Sequence, residues 1–287
     1  LSIIYKLNYA WRFTAHASYK ERYGEMTDLY DRPYQTDYRN SVWNCGILPV
    51  YRQQLYSVYG EYKNTAREFF ATVNLTHNRE WYNRIYEQRI ENGQVQRVSL
   101  PLSNHGSGYT VKSTLSKGFY ELGLKTSFLV LLNISKAEQI SGGQRLPYQY
   151  RLMLLEPKVI WTPNRHWETS YQTDIRYGGN KIGERTRLAP LWNVTQQVQL
   201  SYIFSPIEAS LSVDHYHNDV NEDQSVNAVF ADFSVSWKSG RWQITATATN
   251  LFDKRTYAYT RYASLESYTS WVRIRPREFQ VAIRYRL

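Results

Sequence analysis

Nearly every stretch of this sequence alternates apolar and polar residues with a period of two, a pattern that few folds accept. In "WRFTAHASYK", Trp11, Phe13, Ala15, Ala17 and Tyr19 fall on one side, and Arg12, Thr14, His16, Ser18 and Lys20 on the other. In "HWETSYQTDIRY", Trp167, Tyr171, Ile175 and Tyr177 oppose Glu168, Ser170, Gln172, Asp174 and Arg176. "VFADFSVSWKSGRWQITATATN" sets Val229, Phe233, Val235, Trp237, Trp242 and Ile244 against Asp232, Ser234, Lys238, Gln243 and Thr245. Successive side chains of a strand point to opposite faces, whereas a helix repeats its apolar residues every three or four positions. No comparable stretch has the helical spacing, so the chain is expected to be all-β.

The connections between these segments alternate in length. Short turns are expected near Asn64, Leu122–Gly123, Pro163–Asn164, Ser205–Pro206 and Ser239–Gly240, with residue types that tight hairpins favour. Between them lie longer polar stretches, roughly 24–47, 81–106, 140–146, 179–190, 219–225 and 254–270. Short turns at one end and long loops at the other describe a transmembrane outer-membrane β-barrel, whose strands need ~9–11 spanning residues. A soluble β-sandwich also alternates, but its strands are usually five or six residues long. A propeller would show a repeated blade motif of about 40 residues, and none is present.

Composition agrees with a wall that is half apolar and half wet. The chain has 287 residues, of which 26 are Tyr and 9 are Trp, rings suited to an interface. Mean hydropathy is −0.59. The longest wholly apolar run is Phe128 to Leu132, far short of the ~20 residues of a membrane helix. The net charge of +10 is spread through almost every segment rather than clustered. That distribution argues against nucleic acid and for an electropositive lining or rim facing anions, including outer-membrane lipid. Cys45 is the only cysteine, which excludes an intrachain disulfide. Leu1 is not a start methionine and no secretory signal is visible, so the chain is expected to be processed or part of a longer one.

The last segment, "RPREFQVAIRYRL", carries an apolar row of Phe279, Val281, Ile283, Tyr285 and Leu287 to its end. A barrel's closing strand must face lipid in this way, because an open edge leaves unpaired backbone in hydrocarbon. The apolar phase slips from even numbers (Val272, Ile274) to odd ones after Pro276, which predicts a bulge or strand start near Pro276–Glu278. About thirteen strands can be placed, beginning with "SIIYKLN". Single-chain bacterial barrels have an even number. An odd count predicts that further strands precede this chain, while fourteen would close by themselves. Residues 1–287 are expected to form one barrel domain.

The stretch "ATNLFDKRTYAYTRYASLESYTSWVRIRPREFQVAIRYRL" resembles the C-terminal barrel of TonB-dependent outer-membrane receptors. The resemblance rests on Asn250-Leu251-Phe252, on Tyr257-Ala258-Tyr259 and on Arg275-Pro276-Arg277-Glu278 before the closing strand. "ERYGEMTDLYDRPYQTDYRN" and "VNAVFADFSVSWKSGRWQITATATNLF" also look like segments of such barrels. The chain departs from the pattern in ending on Leu287, where an aromatic residue is commoner. The resemblance implies a barrel of about 22 strands with a plugged lumen. The plug and the segment contacting TonB would lie upstream of Leu1. It also implies import of a scarce nutrient (an iron chelate, cobalamin, oligosaccharide or peptide), in some branches beneath a surface lipoprotein cap.

No catalytic constellation is apparent, and no enzyme activity, metal or cofactor is expected. Histidines 16, 77, 105, 166, 215 and 217 are scattered, and only His215 and His217 can share a face, without a third ligand nearby. "SGGQR" and "YGGNK" read as glycine pairs in loops rather than phosphate cradles. Asp253 and Glu278 have no spacing that supports an acid–base pair. The polar faces supply the site candidates: Arg12, His16, Lys20, Lys112, Glu168, Asp174, Arg176, Asp232, Lys238, Arg284 and Arg286 are expected to line the lumen. Trp43, Trp81 and Tyr82 are expected in the long loops, either stacking on sugars or chelates or serving as girdle or loop-packing residues, the commoner role. Besides an importer, two other readings fit: a self-contained fourteen-strand passive pore or lipid-substrate channel, and an adhesion or scaffold barrel acting through its loops.

Overall fold

The computed structural model describes the chain except residues 92–93, 184–185, 188–189, 222, 264–265 and 287; the side chains of 91, 186–187, 261–263 and 266–268 are also outside the description. The strands in chain order are β1 (Ser2–Lys6), β2 (Trp11–Tyr23), β3 (Tyr34–Gln35), β4 (Asn40–Trp43), β5 (Val50–Asn64), β6 (Phe69–Tyr82), β7 (Ile85–Glu91), β8 (Gln94–Leu100), β9 (Asn104–Phe119) and β10 (Leu124–Ser141). There follow β11 (Gln144–Asn164), β12 (Trp167–Ile182), β13 (Thr186–Arg187), β14 (Leu191–Phe204), β15 (Ile207–Asp219), β16 (Ser225–Ser239), β17 (Trp242–Thr249), β18 (Thr256–Ala263), β19 (Glu266–Arg273) and β20 (Glu278–Tyr285).

Thirteen of these form one antiparallel meander, β1-β2-β5-β6-β9-β10-β11-β12-β14-β15-β16-β17-β20. The fold is all-β, of the outer-membrane-barrel type, and the described sheet does not close: β1 and β20 each pair on one side only. β20 begins at Glu278, where the slip in apolar phase requires a new start.

Partners opposite one another across a sheet share a face, so the register shows whether the local alternations join into one surface. They do. One row of partners runs Phe279, Ala248, Phe233, Leu211, Leu200, Thr169, Trp161, Leu124, Phe119. Another runs Trp11, Tyr62, Ala71, Leu115, Phe128 on the same face. Aromatic pairs border this apolar face at both ends. Towards the short turns, ring centroids are 4.8 Å apart in Trp11–Tyr62, 4.6 Å in Trp167–Tyr202 and 4.8 Å in Trp242–Tyr285. Towards the long connections stand Tyr177–Trp192 at 4.8 Å and His77–Tyr109 at 4.3 Å. From Trp167 to Tyr177 is about ten residues, roughly 33 Å along a strand and about 25 Å in projection at a ~40° tilt, the height of an outer-membrane apolar band. Phe279, Val281 and Ile283 lie on this face and are 73%, 71% and 66% exposed. Leu287 falls outside the described residues.

Two glycine pairs differ from the sequence reading. Gly142 and Gly143, expected in a long loop, have φ of +57° and +75° and close a tight turn, so β10 and β11 stay paired up to Ser141 and Gln144. Consecutive positive φ values suit the hairpin turns that match strand twist, and only glycine adopts them freely. Gly178 and Gly179 lie inside β12 rather than in a loop, paired with Leu152 and Arg151.

The remaining long connections carry structure of their own. β7 and β8 pair with each other, β8 pairs with β4, and β4 with β3. This small sheet joins the wall where Ile140 and Ser141 of β10 pair with Glu87 and Gln88. Between β17 and β20, β18 and β19 form a separate hairpin.

Candidate functional site: a polar chamber at the long-connection end

The face opposite the apolar one is polar. A typical row of partners is Arg12, Glu61, Thr72, Thr114, Leu129, Glu156. Arg12 binds Glu61 at 2.5 Å, and the Thr72 and Thr114 hydroxyls meet at 2.5 Å. The sequence-predicted site residues sit on this face but do not converge. His16 is opposite Ser57, Lys20 opposite Gln53, Lys112 opposite Asn74, and Glu168 opposite Ser201. Asp174 and Arg176 form a local pair at 2.8 Å, and Lys238 binds Glu208 at 2.6 Å. Arg284 is opposite Gln243, and Arg286 lies just past β20, its N–H donating to the Arg241 carbonyl.

Asp232 has a different task. Its carboxylate accepts the Asn250 N–H at 2.7 Å and so anchors the turn that leaves β17. Asn250, at φ +51°, donates its amide to the carbonyls of Lys254 (2.9 Å) and Arg275 (2.8 Å), tying both ends of the last connection together. Asparagine is among the few residues that accept that backbone conformation. This explains Asn250-Leu251-Phe252 as a structural corner.

Two loop-borne elements fold against the polar face. The β18–β19 hairpin packs tightly on β12, β15 and β16: Tyr257 stacks edge-on against Tyr216 at 5.3 Å, and the Asn218 amide donates to the Tyr257 hydroxyl (3.0 Å) and the Ala258 carbonyl (3.2 Å). Ala258 is completely buried there. The β3-β4-β8-β7 sheet leaves space instead. Between it and the ends of β6, β9, β10 and β11 is a cavity of about 590 Å³. Its floor includes Tyr82, Asn104, Gln139 and Tyr148 from the polar face, and its roof Asn40, Arg84, Tyr86, Gln88 and Arg97.

Local chemistry holds this chamber in shape. Glu80 accepts hydrogen bonds from Tyr51 (3.0 Å), Gln53 (3.0 Å), Asn78 (2.9 Å) and Tyr82 (2.8 Å), fixing the floor. Arg84 pairs with Asp28 at 2.9 Å, binding the roof to the connection before β5. Burial pushes the Asp28 carboxyl up, but the Arg84 guanidinium and the Glu25 N–H outweigh that and hold it below the usual carboxylate range. The guanidinium carbons of Arg97 and Arg84 lie 3.6 and 5.0 Å from the centre of the Tyr86 ring. Of the three aromatics expected in the long loops, Tyr82 lines the chamber and Trp43 donates its indole N–H to Asp31 at 3.0 Å. Trp81 falls on the apolar face, opposite Arg52 and His105.

His215 and His217 also lie on that apolar face, opposite Val229 and Asn227, with a His217 ring nitrogen 2.9 Å from the Asn227 side chain. Among the described residues no three His, Cys, Asp or Glu side chains are grouped to hold a metal. Arg84, Tyr86, Gln88 and Arg97 were missing from the sequence reading. No periodic signal marks them: Arg84 precedes β7, and neither "IYEQRIE" nor "QVQRVSL" alternates, with apolar residues at 85, 86 and 90 and at 95, 98 and 100.

No protein-family model matches the sequence, and no curated protein does. Solved structures that resemble the fold include three outer-membrane proteins. The ferric yersiniabactin uptake receptor FyuA from Yersinia pestis aligns with a TM-score of 0.49 and 8% identity, over 100% of this chain and 49% of that one. The ferric-catecholate import receptor Fiu from E. coli K12, in an open form, aligns at 0.30 and 8% identity, over 99% of this chain and 61% of that one. The translocator domain of the autotransporter NalP from Neisseria meningitidis aligns at 0.30 and 10% identity, over 98% and 89%. This chain thus spans about half the length of FyuA. Likeness at these levels assigns no role to any residue.

Proposed function

We propose that the chain forms wall and mouth of an outer-membrane importer of the TonB-dependent kind, a transport protein with no chemistry of its own. The observation that carries this reading is the chamber. A polar cavity, roofed by a sheet held in the loops, sits at the long-connection end of a wall whose other face is apolar between two aromatic girdles. A passive pore gains nothing from a structured roof over its polar face, whereas an importer needs a place to hold its cargo before transport. The lining candidates on the open part of the polar face would meet a plug, through which TonB acts, and the long connections would meet a surface lipoprotein if one caps the barrel.

Strand direction supports a larger wall. The first and thirteenth strands of an antiparallel series run the same way, so antiparallel closure between β1 and β20 needs an odd number of further strands. Planar-bilayer recording on the intact protein tests the proposal. A plugged importer shows no steady conductance, and a stable ohmic pore would overturn it in favour of passive diffusion.

A further inference from the structure

Four charged side chains line the chamber: Asp37, Arg84, Arg97 and Glu138. Three are already neutralised or saturated. Arg84 is paired with Asp28 at 2.9 Å, and Glu138 with Arg145 at 3.0 Å. Asp37 accepts the N–H groups of Arg39 (2.8 Å) and Asn40 (2.9 Å) and the Asn40 side-chain amide (2.7 Å). Arg97 remains. It sits over the Tyr86 ring, its guanidinium carbon 3.6 Å from the ring centre, and no carboxylate among the described residues pairs with it. Stacking uses the face of a guanidinium and leaves its edge, where the N–H donors are, free for a planar or tetrahedral oxyanion. The stack also removes much of the rotamer freedom that a free arginine would lose on binding.

We infer that Arg97, held by Tyr86, is the anion-recognition point of the chamber, and that the ligand is a small, polar molecule bearing an oxyanion, a carboxylate or a phosphate. The rest of the lining agrees with that class. It is polar rather than an apolar slot: Gln139 donates to Gln88 at 3.3 Å, Asn104 to the Glu138 carbonyl at 3.0 Å and Tyr82 to Glu80 at 2.8 Å, and about 590 Å³ falls within the range of small-molecule sites. The inference rests on the importer reading only for calling the ligand cargo; the site itself stands on the chamber's geometry.

The test is calorimetric titration of the intact, detergent-solubilised protein with galacturonate, glucose 6-phosphate and neutral galactose. Binding of either anion, with galactose at least tenfold weaker, is the expected result, and the preferred anion tells carboxylate from phosphate. Arg97→Gln removes the guanidinium edge and is expected to weaken that binding at least tenfold. Arg97→Lys, which keeps the charge but loses the fork, should fall between. Tyr86→Leu frees the guanidinium and should weaken binding while leaving the preference for anions. Neither anion binding, equal binding of galactose, or an Arg97→Gln protein that keeps its barrel circular-dichroism spectrum and full affinity would each overturn the site. Because binding is read without transport, a protein that binds anions yet conducts as an open pore would overturn the importer and leave the site standing.

Discussion

The two faces of the main sheet are built by the same strands, residue by residue in turn, and yet they are organised differently. The apolar face is one continuous band between two girdles from β2 to β20, with polar side chains such as Arg52, His105, His215 and His217 towards its long-connection end. The polar face is divided. Over β12, β15 and β16 the β18–β19 hairpin seals it, with Asn218 only 3% and Ala258 0% exposed; over β6, β9, β10 and β11 another loop-borne sheet stands off and leaves the chamber. An apolar face has one requirement, to match hydrocarbon, so any row of large apolar residues satisfies it. A polar face must satisfy each donor and acceptor separately, and that demand produces specific local structures.

The largest effect should separate the faces themselves. Val213 is on the apolar face near mid-height, opposite Val198 and Ala231, and its neighbour Ser212 is on the polar one, opposite Gln199 and Asp232. Val213→Arg is expected to cost ~2–4 kcal/mol in urea unfolding of the protein in lipid vesicles. Ser212→Arg should cost less than about 1 kcal/mol, since a lumen face tolerates charge. Equal costs would break the comparison. The same measurement applies to β20, where Val281→Arg or Ile283→Arg should cost ~2–4 kcal/mol at most, falling towards the girdle.

Next comes the sealed half. Asn250→Ala loses both carbonyl contacts and the residue type suited to φ +51°, for an expected cost of about 1–3 kcal/mol. Asn250→Gly, which keeps only the conformational fit, should recover part of it. Asn218→Ala should cost about 1–2 kcal/mol by stranding the Tyr257 hydroxyl and the Ala258 carbonyl. Gln139→Ala, in the chamber, should cost under about 0.5 kcal/mol. If Gln139 proved as costly as Asn218, the chamber would be a packed seal too.

The smallest effect is a pH dependence. Asp28 is held below its ordinary carboxylate value in the folded protein, so its pairing with Arg84 stabilises the roof above that ordinary value and is lost as pH falls through the folded one. Protease nicking of the connection between β2 and β5 should therefore rise as pH drops below about 4. In Asp28→Asn the nicking rate should be higher at neutral pH and flat across the same interval.

Much of the wall was legible in the residues because alternation states directly which side chains share a face. The thirteen-strand count, the asymmetry of the connections and the restart at Glu278 all came from that one signal. The site was legible only in part. Alternation assigns faces but not register, so Arg12, Lys112, Asp174 and Lys238 were read as sharing a polar face without any sign that they lie strands apart. Glycine pairs mislead for a related reason. Gly142-Gly143 and Gly178-Gly179 look alike in sequence, yet one closes a turn and the other extends through a strand, because glycine permits both. Arg97 and Tyr86 escaped notice because their short segments inside a connection do not alternate and do not reveal which surface they will fold against.

Spin labels placed one at a time from Ile207 to Asp219, in protein with Cys45→Ser and embedded in lipid vesicles, test the central claim most directly. Oxygen accessibility should peak at odd positions through Leu211 and Val213, and accessibility to a water-soluble nickel complex should peak at the even positions Ser210, Ser212 and Asp214. A profile without that two-residue alternation, or with the two probes in phase, would contradict a membrane wall with one lipid face and one aqueous face.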